Sequence, residues 1–197
     1  MIRVVVGLGN PGREYVATRH NIGFLILDRW AAQHSAFWKK ESRWQSEVTT
    51  VNLESEGSLQ AIKLLKPLTF MNLSGTAVRS FLDWHQISAE EILVVADDVA
   101  LSLGQLRLRV SGGTGGHNGL ASVEQQLQTQ SFARLRCGVG PLPESKNLSD
   151  YVLEPFASSE RDETMKMIEK AVQATECACI LGLATAMNQF NQIKNEL

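Results

Sequence analysis

Ile2-Arg3-Val4-Val5-Val6-Gly7-Leu8-Gly9-Asn10-Pro11-Gly12 sets the fold class. Residues 2–8 are an almost continuous apolar run, the pattern of a strand buried on both faces. A tight glycine turn follows, and then a helical pattern at 22–34 (IGFLILDRWAAQH). The glycines match G-x-G-x-x-G, the spacing of a dinucleotide loop. Pro11, however, removes a backbone N–H where a pyrophosphate needs donors. Arg13-Glu14-Tyr15 opens no apolar helix, and the nearest later acid, Asp28, falls inside the helical segment rather than at the end of a second strand. An Asn-Pro-Gly turn accounts for the glycines but not for a polar Asn10 directly after a buried strand.

Working outward, strand and helix patterns alternate along the chain. Residues 59–65 read as a strand. Residues 74–86 read as a helix with Val78, Phe81, Leu82 and His85 on one face. Ser88 and Glu91 form a capping box, and ILVVA at 92–96 is a second buried strand, ending at Asp97-Asp98. Residues 105–110 alternate: Leu106, Leu108 and Val110 take one face, and Gln105, Arg107 and Arg109 the other. Residues 134–140 are strand-like with Arg134 and Arg136. Residues 160–190 are helix-rich, with Met165, Ile168, Val172 and Cys179 near helical spacing. This order predicts an α/β fold, a single three-layer domain over residues 1–197 with a mixed central β-sheet flanked by helices.

With 197 residues, 44% hydrophobic and 20% charged, the chain can build a sizeable core. The N-terminus does not read as a signal peptide, and no apolar run reaches bilayer-spanning length, so no membrane partner is expected. Cys137, Cys177 and Cys179 are odd in number and form no C-x-x-C pair; they read as small buried hydrophobes in a reducing, cytoplasmic setting. The formal net charge is -2, which argues against a general nucleic-acid binder. The charge is nevertheless uneven. Residues 101–140 hold Arg107, Arg109, Arg134 and Arg136 against Glu124 alone, whereas 144–176 hold eight acids against four bases. A local basic patch can engage phosphates on a mildly acidic chain.

The chemistry narrows by elimination. There is no H-E-x-x-H or second metal-like cluster, no G-x-S-x-G elbow and no G-K-[ST]. Of four histidines, His34 and His85 sit in helical segments. His20 stands in Thr18-Arg19-His20-Asn21, and His117 in the glycine-rich 112–119 loop. Asp97 follows a buried strand; it either caps a turn or orients an imidazole whose other nitrogen takes a proton from water. Asn72, in Phe70-Met71-Asn72-Leu73-Ser74-Gly75, either caps the helix or offers an amide donor to an oxyanion. Met71 is core, or a soft wall for a peptide side chain. Arg107 and Arg109, about 7 Å apart along one strand face, suit a phosphate clamp, although a solvated face is the more common reason for such alternation.

Taken together, Val6–Gly12, Tyr15, Thr18–Asn21 with Gly23-Phe24, Lys66-Pro67, Phe70–Gly75, Asp97-Asp98, Gly115–Gly119 and Arg134–Arg136 with Gly138 and Gly140 resemble the bacterial peptidyl-tRNA hydrolase family, in its order, over roughly residues 3–156. The resemblance implies hydrolysis of the ester joining a peptide to tRNA, by a monomer with no cofactor and no metal. It implies His20 as general base, Asp97 as its orienter, and Asn10 holding substrate near the scissile ester with Tyr15 close by. Asn72 and Asn118 would bind the peptide main chain and polarise the carbonyl. Asn21, Phe70, Met71 and His117 would line the cleft for the peptide and the tRNA 3′ end, and Arg107, Arg109 and Arg136 would clamp tRNA phosphate. Ala100, Thr114 and Glu154-Pro155-Phe156 depart from the family's pattern, the last placing an acid where a base is usual. A relative that binds RNA without catalysis is the alternative; the presence of Asn10, His20, Asn72, Asp97 and Asn118 favours the enzyme.

Overall fold

The computed structural model describes residues 1–55 and 57–191; residues 192–197, the end of the expected domain, lie outside the described residues. In chain order the elements are β1 (Val4–Gly7), α1 (Ile22–Gln33), β2 (Lys39–Glu41), β3 (Ser46–Ser55), β4 (Ser58–Pro67), α2 (Ser74–His85), β5 (Ile92–Ser102), β6 (Leu106–Arg109), α3 (Asn118–Leu127), β7 (Ala133–Gly140), α4 (Leu148–Val152), α5 (Arg161–Ile180) and α6 (Leu183–Phe190). They form one seven-stranded sheet, ordered β2-β3-β4-β1-β5-β7-β6. The central β4, β1, β5 and β7 pair in parallel, and β2, β3 and β6 pair antiparallel at the two sides. The sheet is mixed and covered by helices on both faces, the three-layer α/β arrangement that the alternation predicts.

The apolar run of β1 shows why both faces are covered. Successive strand residues point to opposite sides. Val5 packs with Ile26, Leu27 and Trp30 of α1 and with Met167 and Val172 of α5. Val4 and Val6 pack with Val78 and Phe81 of α2 and Leu120 and Val123 of α3. All three valines are fully buried. The junction of β1 with α1 is backbone against backbone. A Cβ on Gly7 would lie 2.5 Å from the Gly23 carbonyl oxygen, and one on Gly23 would lie 2.5 Å from the Leu8 nitrogen. Glycine at both positions lets the start of α1 sit directly on the strand ends.

Several expectations need correcting. β5 does not stop at Ala96 but continues to Ser102, with a register shift between Asp98 and Ser102. Asp97 therefore lies within the strand, opposite Cys137. The neighbouring β7 permits this, because a Cβ on Gly138 or Gly140 would meet the Ser102 or Val99 carbonyl oxygen at 2.0 Å. Val110 is 53% exposed rather than buried with Leu106 and Leu108, since β6 ends at Arg109. In the tail, Met165 is exposed; the buried stripe runs through Thr164, Met167, Ile168, Ala171, Val172, Thr175 and Ala178. The helical pattern also breaks at Gly182, where φ is 87°.

The three cysteines are free, Cys137 and Cys179 buried and Cys177 half-buried. Burial pushes the Cys179 thiol up to about 12, with Glu176 adding to it. At the open side of the sheet, the Asn191 carboxamide bonds both backbone groups of Leu108: the Leu108 N–H donates to Oδ1 at 2.6 Å, and Nδ2 donates to the Leu108 carbonyl at 2.9 Å. Among the described residues no helix is long and apolar enough to cross a membrane.

Candidate active site

The carboxyl ends of the parallel strands gather the polar residues, as expected for an open α/β sheet. His20 sits in a short 3-10 turn, Arg19–Asn21, which leads into α1. Arg19 anchors that turn. It is 5% exposed, donates to Glu160 Oε2 at 2.6 Å, and its guanidinium lies 4.5 Å from the Tyr151 ring centroid and 4.9 Å from that of Phe156. The His20 ring, 9% exposed, is thereby held over β5, with Nδ1 2.8 Å from Asp97 Oδ1.

Asp97 serves two imidazoles at once. His117 Nε2 lies 2.9 Å from the same Oδ1, and the two rings are 4.9 Å apart. The other His117 nitrogen, Nδ1, accepts the Gly119 and Leu120 N–H groups at 3.0 and 3.2 Å and so caps α3. These bonds fix both tautomers. Nδ1 of His117 accepts two donors and cannot carry a proton, so its Nε2 is the N–H that donates to Asp97. His20 likewise donates from Nδ1, which leaves the lone pair on Nε2 available for a substrate proton. Burial disfavours a charged Asp97. The His117 donor, followed by that of His20, outweighs this and holds its carboxyl well below the usual carboxylate range.

His20, Asp97 and His117 could each offer a metal ion one ligand atom, all within 4.8 Å of one another. Spacing along the chain gave no sign of this cluster. A metal bound through the two nitrogens that donate to Oδ1 would have to replace both hydrogen bonds.

Asn10 is 8% exposed. Its Oδ1 accepts the Met71 N–H at 2.8 Å, and its Nδ2 donors have no acceptor among the described residues. Asn21, expected as a wall of the cleft, is instead 2% exposed; its Oδ1 accepts the Asn10 N–H at 2.8 Å and its Nδ2 donates to the Asn10 carbonyl at 3.0 Å, so it holds the Asn10 backbone. Asn72 caps nothing: α2 starts after Leu73 with no side-chain cap bond, and the Asn72 side chain is exposed. Asn118, the first residue of α3, is exposed as well. Tyr15 is half-buried, Phe70 is 57% exposed and Met71 is 4% exposed, packed into the core beneath.

His20, Asp97, His117, Asn118 and Arg136 line a cleft of about 210 Å³, closed on one side by Leu148, Ser149 and Val152 of α4. The α4 wall and the Arg19 anchor were missed by sequence reasoning. The wall belongs to the acidic stretch and carries no motif; Arg19 was visible beside His20, but nothing in its spacing marked it as an anchor. Arg136 donates to Asp98 Oδ2 at 2.9 Å and to the Gly113 carbonyl at 2.7 Å. Arg134, counted in the basic patch, is 1% exposed and donates to the carbonyls of Gly112, Gly113, Gln130 and Phe132, so it braces the loop rather than facing solvent. Arg107 and Arg109 are exposed on β6. Glu154 binds Lys146 at 2.7 Å.

His117 carries a separable prediction. His117→Ala removes a helix cap, costing about 1 kcal/mol, and a hydrogen bond to a charged group, about 1.5–3 kcal/mol. His117→Asn keeps a good cap but is too short for Asp97. Denaturant unfolding is expected to rank wild type above His117→Asn, and His117→Ala about 1 kcal/mol lower still. Equal stability of the two variants would refute the capping role.

A family model described as peptidyl-tRNA hydrolase matches residues 4–197. The peptidyl-tRNA hydrolase of Methylacidiphilum infernorum is 41% identical over 97% of this chain and 98% of its own length. That of Syntrophomonas wolfei is 44% identical over 96% of this chain and 100% of its own. The crystal structure of peptidyl-tRNA hydrolase from Acinetobacter baumannii superposes with a TM-score of 0.89 at 35% identity, covering 98% and 96% of the two chains. With His20, Asp97, His117, Asn118 and Arg136 lining one cleft and relatives matching along nearly the whole length, the chain belongs to the peptidyl-tRNA hydrolase family.

Proposed function

We propose that this chain hydrolyses the ester between a peptide and the 3′ end of its tRNA, acting as a monomer, with His20 as general base. The carrying observation is the 2.8 Å His20 Nδ1–Asp97 Oδ1 bond, which leaves the Nε2 lone pair for water. Water gives a proton to Nε2 and attacks the ester carbonyl carbon. The carbonyl oxygen becomes an oxyanion, which the amide donors of Asn72, Asn118 and Asn10 can stabilise. Collapse expels the ribose oxygen, which recovers the proton from the imidazolium. Asp97 keeps the ring oriented and balances its transient charge. Tyr15 and Phe70 border the peptide and the terminal nucleotide, Met71 backs them from the core, and His117 holds Asp97 from the other side. Arg107, Arg109 and Arg136 take tRNA phosphate, which at Arg136 competes with the Asp98 carboxylate. Each proton transfer is assigned to a side chain of this chain.

The test is release of free tRNA from an N-blocked aminoacyl-tRNA, with and without chelator. Release at equal rates in both supports this reading. Tight tRNA binding without release would make the chain an RNA-binding relative instead.

A further inference from the structure

The basic surface continues past the cleft. In the β6–β7 pairing Arg107 stands directly opposite Arg136, and Arg109 directly opposite Arg134. Directly opposed residues lie about 4.5–5.5 Å apart on one face, where like charges repel. Two of the four are compensated, Arg136 by Asp98 and Arg134 by backbone carbonyls. Arg107 and Arg109 are exposed and make no ion pair among the described residues. They also line a groove of about 820 Å³ that α5 borders, with Lys166 and Lys170 about one helical turn apart. Neither lysine has an ion pair among the described residues, and Glu163 is the one acid in the lining.

Four cations that make no ion pair among the described residues, in one concavity of a chain of formal charge -2, make a local field suited to a polyanion. The lining otherwise comes from Leu101–Leu106, Met167 and Asn191. With no aromatic face for a base to stack on, backbone phosphate is the matching chemistry. The Arg136–Arg107 pair joins this groove to the cleft, which selects the occupant: the anion entering here is part of the molecule held at His20.

We infer that the β6–α5 groove is a second tRNA contact, in which Lys166 and Lys170 hold the phosphodiester backbone of the tRNA arm leaving the active site. This rests on the proposed hydrolase reading. The experiment uses the full chain with Lys166→Ala and Lys170→Ala combined, both at solvent-accessible helix positions. Dissociation constants for uncharged tRNA are measured over a salt series, beside turnover of N-blocked aminoacyl-tRNA and of N-blocked aminoacyl-adenosine, which has no tRNA body. The double variant is expected to bind tRNA about tenfold more weakly, with a log–log salt slope shallower by about 1–2. Turnover of the adenosine ester should be unchanged. Wild-type affinity and slope in the double variant would overturn the inference, as would equal losses on both substrates. If wild type releases no tRNA, the hydrolase reading itself fails, a result that does not depend on the lysines.

Discussion

His20→Ala is expected to lower kcat by about 10²–10⁴-fold, with little change in the dissociation constant for tRNA. The ring stands 9% exposed on a turn fixed from behind by Arg19, so removing it leaves the turn's anchor in place. The loss should fall on proton transfer, because tRNA phosphate is assigned to arginines on β6 and β7, remote from the imidazole in sequence and on different elements. Single-turnover release, compared with equilibrium tRNA binding, separates the two effects. Near-normal release would remove His20 from the base role. An equal loss of binding would make it a substrate contact instead.

Asp97→Asn should be nearly as damaging, lowering kcat by roughly 10³–10⁴-fold, the scale of amidating a triad carboxylate. A single oxygen receives both imidazole donors, at 2.8 and 2.9 Å. A neutral amide holds them more weakly, or turns its NH₂ toward them and forces His20 into the other tautomer. The variant also has a pH signature in stability. The Asp97 carboxyl is held below its ordinary range in the fold. Its stabilising contribution is thus fully present above the unfolded-chain value of about 3.9 and is lost as pH falls below it. The stability gap between wild type and Asp97→Asn should be constant at neutral pH and shrink in acid. Activity of Asp97→Asn within a factor of about ten of wild type would rule out the orienting role.

How much of this could be read in advance depended on the kind of information each residue carries. The valines of β1 announced a doubly covered strand because burial on both faces writes itself as an unbroken apolar run. The exposure of Arg107 and Arg109 was legible in the alternation of β6. The continuation of β5 past Ala96 was not, because it depends on Gly138 and Gly140 in another strand clearing space for carbonyls. The placement of His20, Asp97 and Asn10 as a group came through resemblance, since side chains from three segments have no common period. Asn21 was misjudged for the same reason: a buried carboxamide that mirrors a backbone looks identical in sequence to one that faces substrate. The sharing of one oxygen by two histidines 97 positions apart leaves no trace in local pattern.

Asn191 gives the outer strand a closed boundary. An open sheet edge offers N–H and C=O groups at alternate residues, a template on which another chain can build. Along β6 the outward pairs belong to Leu106 and Leu108, and the side-chain amide of Asn191 occupies the second. A carboxamide is the same chemical unit as a peptide group, so Asn191 in effect supplies one link of an eighth strand. An approaching copy finds too short a ladder to zip along. At this edge the covering of the Leu108 backbone is thus tied to the last helical turn holding its position.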